Sequence, residues 1–308
     1  MKPLLVIGST GLVGSKVCGK AGAYGYEAHG TQNARTSAFP RSHDLDITNS
    51  SAVMRLVDEI EPVAIVNTAA LHNVDYCETH RDEAERVNVE GVENLARAAT
   101  RHNSRLIHLS TDYVFDGRAG HYRVSDSPRP LSYYALTKLE AEKAASNAGS
   151  FAVARPSVIF GWNRLEGKGI PSSSGKTINF AMYVLDKLAK RETVRAVTDQ
   201  FSSPTFADNL TDAILKLVEY PKNGIFHTAG RSCVNRYDFA VKIAQAFGYP
   251  PGLVQPITSS DFKQIAARPL NSCLDVEATE NALGMRFLTV DEGIDLMRSQ
   301  AMSVDALG

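Results

Sequence analysis

The sequence is poor in cysteine, has no long apolar run and carries no charge bias of either sign. Its four cysteines, Cys18, Cys77, Cys233 and Cys273, stand far apart among 308 residues and form no C-x-x-C pair. Neither a disulfide framework nor a zinc knuckle is expected from that spacing, and all four read as reduced thiols of a cytoplasmic protein. His72, Cys77, Glu78 and His80 lie close together but match no ligand spacing, so no metal is expected. The apolar run Pro3–Ile7 breaks at Gly8-Ser9-Thr10-Gly11, too early for a secretory signal, and nothing approaches the roughly 18 apolar residues of a membrane span. With 33 Lys and Arg against 34 Asp and Glu, no basic field is present, and neither nucleic acid nor a membrane surface is an expected partner.

What is present is an ordinary globular composition, 44% hydrophobic, with length for about two units. Short apolar runs alternate with amphipathic segments, the pattern of βαβ units around a doubly wound parallel sheet. Strands are expected at 4–7, 27–30, 63–67, 106–110, 151–155 and 224–227. Val53, Leu56, Val57 and Ile60 recur at i, i+3, i+4 and i+7 and mark a core-facing helix, as do Ala84, Val87, Val92, Leu95 and Ala99. Helices are also expected at 178–190, 206–219 and 236–247, with weaker stretches at 276–283 and 290–302. Residues 161–177, rich in Gly, Ser and Lys, read as a loop of functional length, a candidate lid.

Gly8, Gly11 and Gly14 form G-x-x-G-x-x-G after the first strand and at the start of a helix. Such glycines permit a tight turn, admit a pyrophosphate to backbone N–H groups at a helix N-terminus and let helix and strand pack closely. A dinucleotide is therefore the expected cofactor. The second strand ends Gly30-Thr31-Gln32 without a carboxylate, and Arg35 follows. That combination favours NADP(H) over NAD(H), which stays possible, although Arg35 also reads as a solvated surface cation.

Tyr134 and Lys138 stand one helical turn apart, so the ammonium is expected to favour ionisation of the phenol. They follow the strand that ends His108-Leu109-Ser110-Thr111. Because strand ends carry the site in doubly wound sheets, Thr111 is placed to meet a substrate oxygen beside Tyr134.

These residues resemble the extended short-chain dehydrogenases/reductases and, within them, the dTDP-4-dehydrorhamnose reductase family. The matching segments are GSTGLVG (8–14), HDLDIT (43–48), VNTAALHNVDYCE (66–78), NVEGVENL (88–95), HLSTDYVFDG (108–117), YYALTKLEAE (133–142), RPSVIFG (155–161), DQFSSPT (199–205) and RPLNSCLD (268–275). The resemblance implies an NAD(P)H-dependent reduction of a nucleotide-linked 4-keto-6-deoxy sugar. It makes Tyr134 the general acid, Lys138 the holder of the nicotinamide ribose and Thr111 the partner of the reacting oxygen. Gly8, Thr10, Gly11, Leu12 and Val13 would wrap the pyrophosphate, and Asp46 and Ile47 would frame the adenine. Ala69, Ala70 and Leu71 would flank the cofactor, Asn88 would support the active-site backbone, and Asp112 and Tyr113 would line the substrate pocket.

Val158 stands where the family carries a substrate-facing Trp, and residues 162–177 exceed the family's compact link. Arg268 has the planar fork of a diphosphate clamp but also reads as a salt-bridged surface residue. Residues 1–161 and 202–228 are expected to form the Rossmann domain, and 162–201 with 229–308 a smaller substrate-binding domain. Other readings stay open: a reductase, epimerase or dehydratase of another nucleotide sugar or ketone, or a regulatory subunit without turnover, as the beta subunit of methionine adenosyltransferase resembles the same branch. A homodimer is also left open.

Overall fold

The computed structural model describes residues 1–33, 39–162, 179–262 and 264–305. In chain order its first half reads β1 (Lys2–Ile7), α1 (Leu12–Lys20), β2 (Tyr26–Gln32), β3 (Ser42–Asp44), α2 (Ser50–Ile60), β4 (Ala64–Asn67), α3 (Val74–Thr79), α4 (Arg81–Glu85), α5 (Gly91–Arg101), β5 (Arg105–Leu109), α6 (Tyr133–Ser146) and β6 (Phe151–Arg155). The second half reads β7 (Ile159–Phe160), α7 (Phe180–Ala189), β8 (Val194–Val197), β9 (Phe201–Ser202), β10 (Thr205–Phe206), α8 (Ala207–Glu219), β11 (Gly224–His227), β12 (Val234–Asn235), α9 (Arg236–Ala246), β13 (Val254–Ile257), α10 (Glu277–Leu283) and α11 (Val290–Asp305).

Seven strands form one parallel sheet in the order β11-β6-β5-β4-β1-β2-β3. Strands covered on both faces need continuous apolar runs, and Leu4, Leu5, Val6, Ala64, Ile65 and Val66 are all buried. The chain reverses its direction of travel between β1 and β4, and at such a crossing the carboxyl ends of the strands open a crevice. The expected strands are present, with ends shifted by a few residues. The short edge strand β3, with no apolar alternation, escapes the sequence pattern.

Each face of the sheet has its own core. Val53, Leu56, Val57 and Ile60 of α2 bury the predicted stripe against α5, α6 and the sheet. On the other face α1 and α8 pack together, and Lys16 of α1 pairs with Asp208 of α8 at 2.7 Å. Leu274, Val276, Leu283 and Phe287 join this second core, although 229–308 is expected to belong to the substrate-binding domain. A third core gathers Phe160, Val184, Leu188, Val194, Phe239, Ile243, Val254, Ile294 and Met297 from α7, β8, α9, β13 and α11. The side chains of Asn49, Asn73, Asn179 and Asn235 cap α2, α3, α7 and α9 by accepting from first-turn amides. Among the described residues no helix is long and apolar enough to cross a membrane.

One expectation is corrected. Cys233 and Cys273 form a disulfide across a Cα separation of 5.5 Å, whereas Cys18 and Cys77 are buried free thiols. Linear spacing hides the pair because β9 brings it together. Phe201 pairs with Asn235 of β12 on one side and with Asn271 on the other, so the two cysteines flank one short strand. Closing a 40-residue separation restricts the unfolded chain by about 4 kcal/mol. Cys233→Ser, or reduction by a phosphine, is therefore expected to lower the urea midpoint; an unchanged midpoint would show that the bridge adds nothing.

Candidate active site

The turn after β1 is built for close approach. Gly8 has φ +80°, and a Cβ on Gly14 would lie 2.3 Å from the Gly8 carbonyl oxygen, so only hydrogen fits at Gly14. Gly11 occupies the N-cap of α1 in an extended conformation and offers no side-chain cap, which leaves the first amides of α1 for an incoming anion. The turn is tied to the end of β2. Gly8 N donates to Thr31 Oγ1 at 3.2 Å, and Ser9 Oγ donates to the Thr31 carbonyl at 2.8 Å. Thr10, Leu12 and Val13 follow on this same turn and helix start. Arg35 lies outside the described residues.

Asp46 is exposed and binds its own turn, accepting from Thr48 N and Oγ1 at 2.9 and 2.8 Å. Ile47 beside it is buried against Gly91. At the end of β4, Ala69 and Ala70 are half-buried and Leu71 is buried. Asn88, 2% exposed in a single π-turn at 86–90, joins this stretch to α6. Its Oδ1 accepts from Leu71 N at 2.8 Å, and its Nδ2 donates to the Leu71 carbonyl at 3.1 Å and to Thr137 Oγ1 at 3.0 Å. Asn88→Ala strands three buried polar partners and is expected to cost about 2–4 kcal/mol in a denaturant titration; a loss below about 0.5 kcal/mol would exclude this bracing role.

Thr111 follows β5, and Tyr134 stands in the first turn of α6, whose N-cap Ser132 accepts from Ala135 N at 3.3 Å. The Thr111 side chain lies near the Tyr134 phenol, and Tyr113 meets the same ring edge-on at 6.4 Å between centroids. Burial raises the pKa of Tyr134 well above the usual phenol value, outweighing the opposing pull of Thr111. Lys138 does not offset this as its spacing suggests. Its side chain, 1% exposed, donates to the Leu109 carbonyl at 2.7 Å and meets His108 Nε2 at 3.2 Å. Desolvation lowers its pKa to about 8, against an opposing pull from Glu142. The phenol is therefore held in its protonated form.

The depressed lysine value has a thermodynamic consequence. Between pH 8 and the ordinary lysine value of 10.5, the unfolded chain holds a proton that the folded chain lacks, so stability rises with pH across that window. At about 1.4 kcal/mol per unit, the penalty at neutral pH is on the order of 3 kcal/mol. Lys138→Met is expected to narrow its stability advantage over the wild type as pH rises through this window. Parallel pH–stability curves would contradict this.

Other predicted residues are placed differently. Asp112 does not present its carboxylate to a pocket. It is 2% exposed and accepts from Ser157 Oγ at 2.7 Å, Ser272 Oγ at 2.5 Å and Thr111 Oγ1 at 3.2 Å. This carboxylate ties the ends of β5 and β6 to the 268–275 segment. Arg268 is likewise committed, with Nη1 at 2.6 Å from both Asp75 Oδ1 and the Ala266 carbonyl. It braces α3 against the 265–268 turn instead of forming an open clamp. Val158 packs against the third core with φ +40°, a left-handed conformation that is costly for a β-branched residue. The candidate lid, with Lys168 and Lys176, falls almost wholly outside the described residues.

Sequence reading passed over Glu142 and Arg155. Both are buried, and their bidentate pair, at 2.8 and 2.6 Å, also receives Ser110 Oγ at 2.5 Å. Asn67 and His108 were missed as well. The available signal was a polar residue inside an apolar parallel strand, in AIVN and RLIHL. Among the described residues, no group of three or more His, Cys, Asp or Glu is placed to hold a metal.

With a protonated phenol, a neighbouring threonine and a buried lysine gathered at the carboxyl edge of a doubly wound sheet, the protein falls in the class of Rossmann-fold oxidoreductases. Within that class the chain belongs to the RmlD substrate binding domain family, whose model matches residues 1–302. It is 36% identical over 256 residues to a dTDP-4-dehydrorhamnose reductase of Aggregatibacter actinomycetemcomitans, covering 79% of this chain and 83% of the relative. It is 34% identical over 293 residues to the methionine adenosyltransferase 2 subunit beta of Bos taurus, covering 92% and 83%. The crystal structure of a Bacillus anthracis dTDP-4-dehydrorhamnose reductase in complex with NADP superposes with a TM-score of 0.85 at 26% identity, covering 97% of this chain and 100% of that one.

Proposed function

We propose that this chain is an NAD(P)H-dependent reductase of a nucleotide-linked 4-keto-6-deoxy sugar, with dTDP-4-dehydrorhamnose as the substrate to test first. The observation that carries this reading is the placement of Thr111 just after β5 beside Tyr134 and Lys138 of α6, at the carboxyl end of the sheet, in a chain 36% identical to a reductase of that name. The residues present fit a dinucleotide. The Gly8–Gly14 turn excludes any Cβ at its tightest point, and α1 begins with an uncapped positive end. NADP(H) is preferred because β2 ends without a carboxylate and because the Bacillus anthracis relative was solved with NADP. Asp44, opposite on β3, is engaged by the Gln32 amide at 2.8 Å.

When bound, the reduced cofactor supplies a hydride from its nicotinamide C4 to the sugar carbonyl carbon. Thr111 and Tyr134 then bind and polarise the carbonyl oxygen, and Tyr134 gives its hydroxyl proton to that oxygen as negative charge develops there. Lys138 would hold the nicotinamide ribose, as the resemblance implies. Asp112 acts at one remove by receiving the Thr111 hydroxyl, and Asn88 by fixing the Leu71 backbone to Thr137 of α6.

The likeness to the methionine adenosyltransferase subunit favours one further reading, a cofactor-binding subunit without turnover. Mixing the protein with NADPH and enzymatically prepared dTDP-4-keto-6-deoxy-L-sugar separates the two. Cofactor oxidation is expected, and Tyr134→Phe is expected to lower kcat by about 10²- to 10⁴-fold. Binding of NADPH with no oxidation by the wild type, across a panel of nucleotide sugars, would favour the subunit reading.

A further inference from the structure

Behind Lys138 lies a buried polar chain whose hydrogen-bond direction can be worked out from one end. Asn67, at the end of β4, accepts a hydrogen bond at Oδ1 from Ala69 N at 3.1 Å. Its amide nitrogen therefore faces His108 Nδ1, at 3.2 Å, across the paired positions of β4 and β5. An amide nitrogen only donates, so Nδ1 accepts and the proton of the neutral ring sits on Nε2. That N–H points at Lys138 Nζ, 3.2 Å away. An ammonium has no acceptor, whereas an amine can receive this N–H and still donate to the Leu109 carbonyl, 2.7 Å away. The ring is 0% exposed, and its two nitrogens meet Asn67 and Lys138 directly.

The surrounding groups do not supply a substitute acceptor. On α6, Tyr134 lies one turn before Lys138 and Glu142 one turn after. Glu142 is bound by Arg155 of β6 and Ser110 beyond β5, so its charge acts on Lys138 only at longer range.

We propose that His108 is a positioning residue that, oriented by Asn67, favours the amine form of Lys138 and couples its protonation to a change of ring tautomer. When Lys138 takes one proton from solvent, the ring proton transfers from Nε2 to Nδ1. Nε2 then accepts from the ammonium, and Nδ1–H donates to the Oδ1 of a rotated Asn67. The one bond lost is that of Ala69 N–H, which turns free at the strand end expected to flank the cofactor. Protonation of Lys138 is thus felt at Ala69, through groups that no substrate touches. The consequence for turnover rests on the reductase reading; the tautomer change itself does not.

Two-bond proton–nitrogen NMR spectra of the full-length protein labelled with 15N-histidine test the coupling directly, with His108 assigned through its loss in His108→Gln. Between about pH 9.5 and 6.5 the ring is expected to pass from the Nε2–H to the Nδ1–H tautomer, staying neutral throughout. One tautomer at every pH, or conversion to an imidazolium, would overturn the proposal. Asn67→Asp replaces the donor facing Nδ1 by an acceptor and is expected to move the midpoint up by about one pH unit or more. An unmoved midpoint in this folded variant would overturn it too, and if the variant does not fold, the wild-type titration decides alone. The alkaline limb of NADPH oxidation should move with the midpoint. Turnover with a fixed tautomer defeats the inference and leaves the reductase reading standing, whereas a tautomer change without turnover does the reverse.

Discussion

The active site depends on one buried ion pair. Glu142 of α6 grips Arg155 of β6 through two hydrogen bonds and receives Ser110 from the end of β5, while the guanidinium lies 5.2 Å from the centre of the Phe115 ring. Removing either partner alone would leave an unpaired buried charge, a change worth about 3–5 kcal/mol. The pair therefore fixes the rotation and height of α6 against two strands. With Glu142 set, Lys138 falls one turn earlier behind β5, and Tyr134 one turn earlier still beside Thr111. The chemistry at the mouth of the site is positioned from its buried end.

A second tier of polar ties closes the front. Asp112 gathers hydroxyls from Thr111, Ser157 and Ser272, and the Cys233–Cys273 bridge sits one residue beyond Ser272. Asn88 does the corresponding work between β4 and α6. Of these groups, Asp112 reads as a pocket residue in a list of motifs because it lies next to Thr111 in the chain. Their burial and full sets of partners show that they hold the backbone. A buried carboxylate with three hydroxyl donors has little capacity left for a ligand.

Much of this was legible in the residues. The parallel sheet followed from apolar runs alternating with amphipathic ones, and the glycine turn from its place after β1. Tyr134, Lys138 and Thr111 were legible because helix spacing and strand ends are local rules. The state of those groups was not. Spacing pairs Lys138 with the phenol, yet its direct partners are Leu109 and His108, 29 and 30 positions away. The charges on Arg268 and Asp112 were visible, but their partners Asp75 and Ser272 lie 193 and 160 positions away. The disulfide was missed for the same reason.

Local pattern thus gave the order of the main strands and helices, the phosphate-sized turn and the candidates for the reacting side chains, since each depends on neighbours within a few residues. Tertiary packing alone decided which of those side chains are free to act. It buried Tyr134 so that the phenol keeps its proton, stripped water from Lys138 and set His108 against it, and gave Asp112 and Arg268 to the scaffold. Desolvation and hydrogen-bond polarity depend on which distant segments meet, and in this chain those meetings are made by the register of α6 and the crossing of β9.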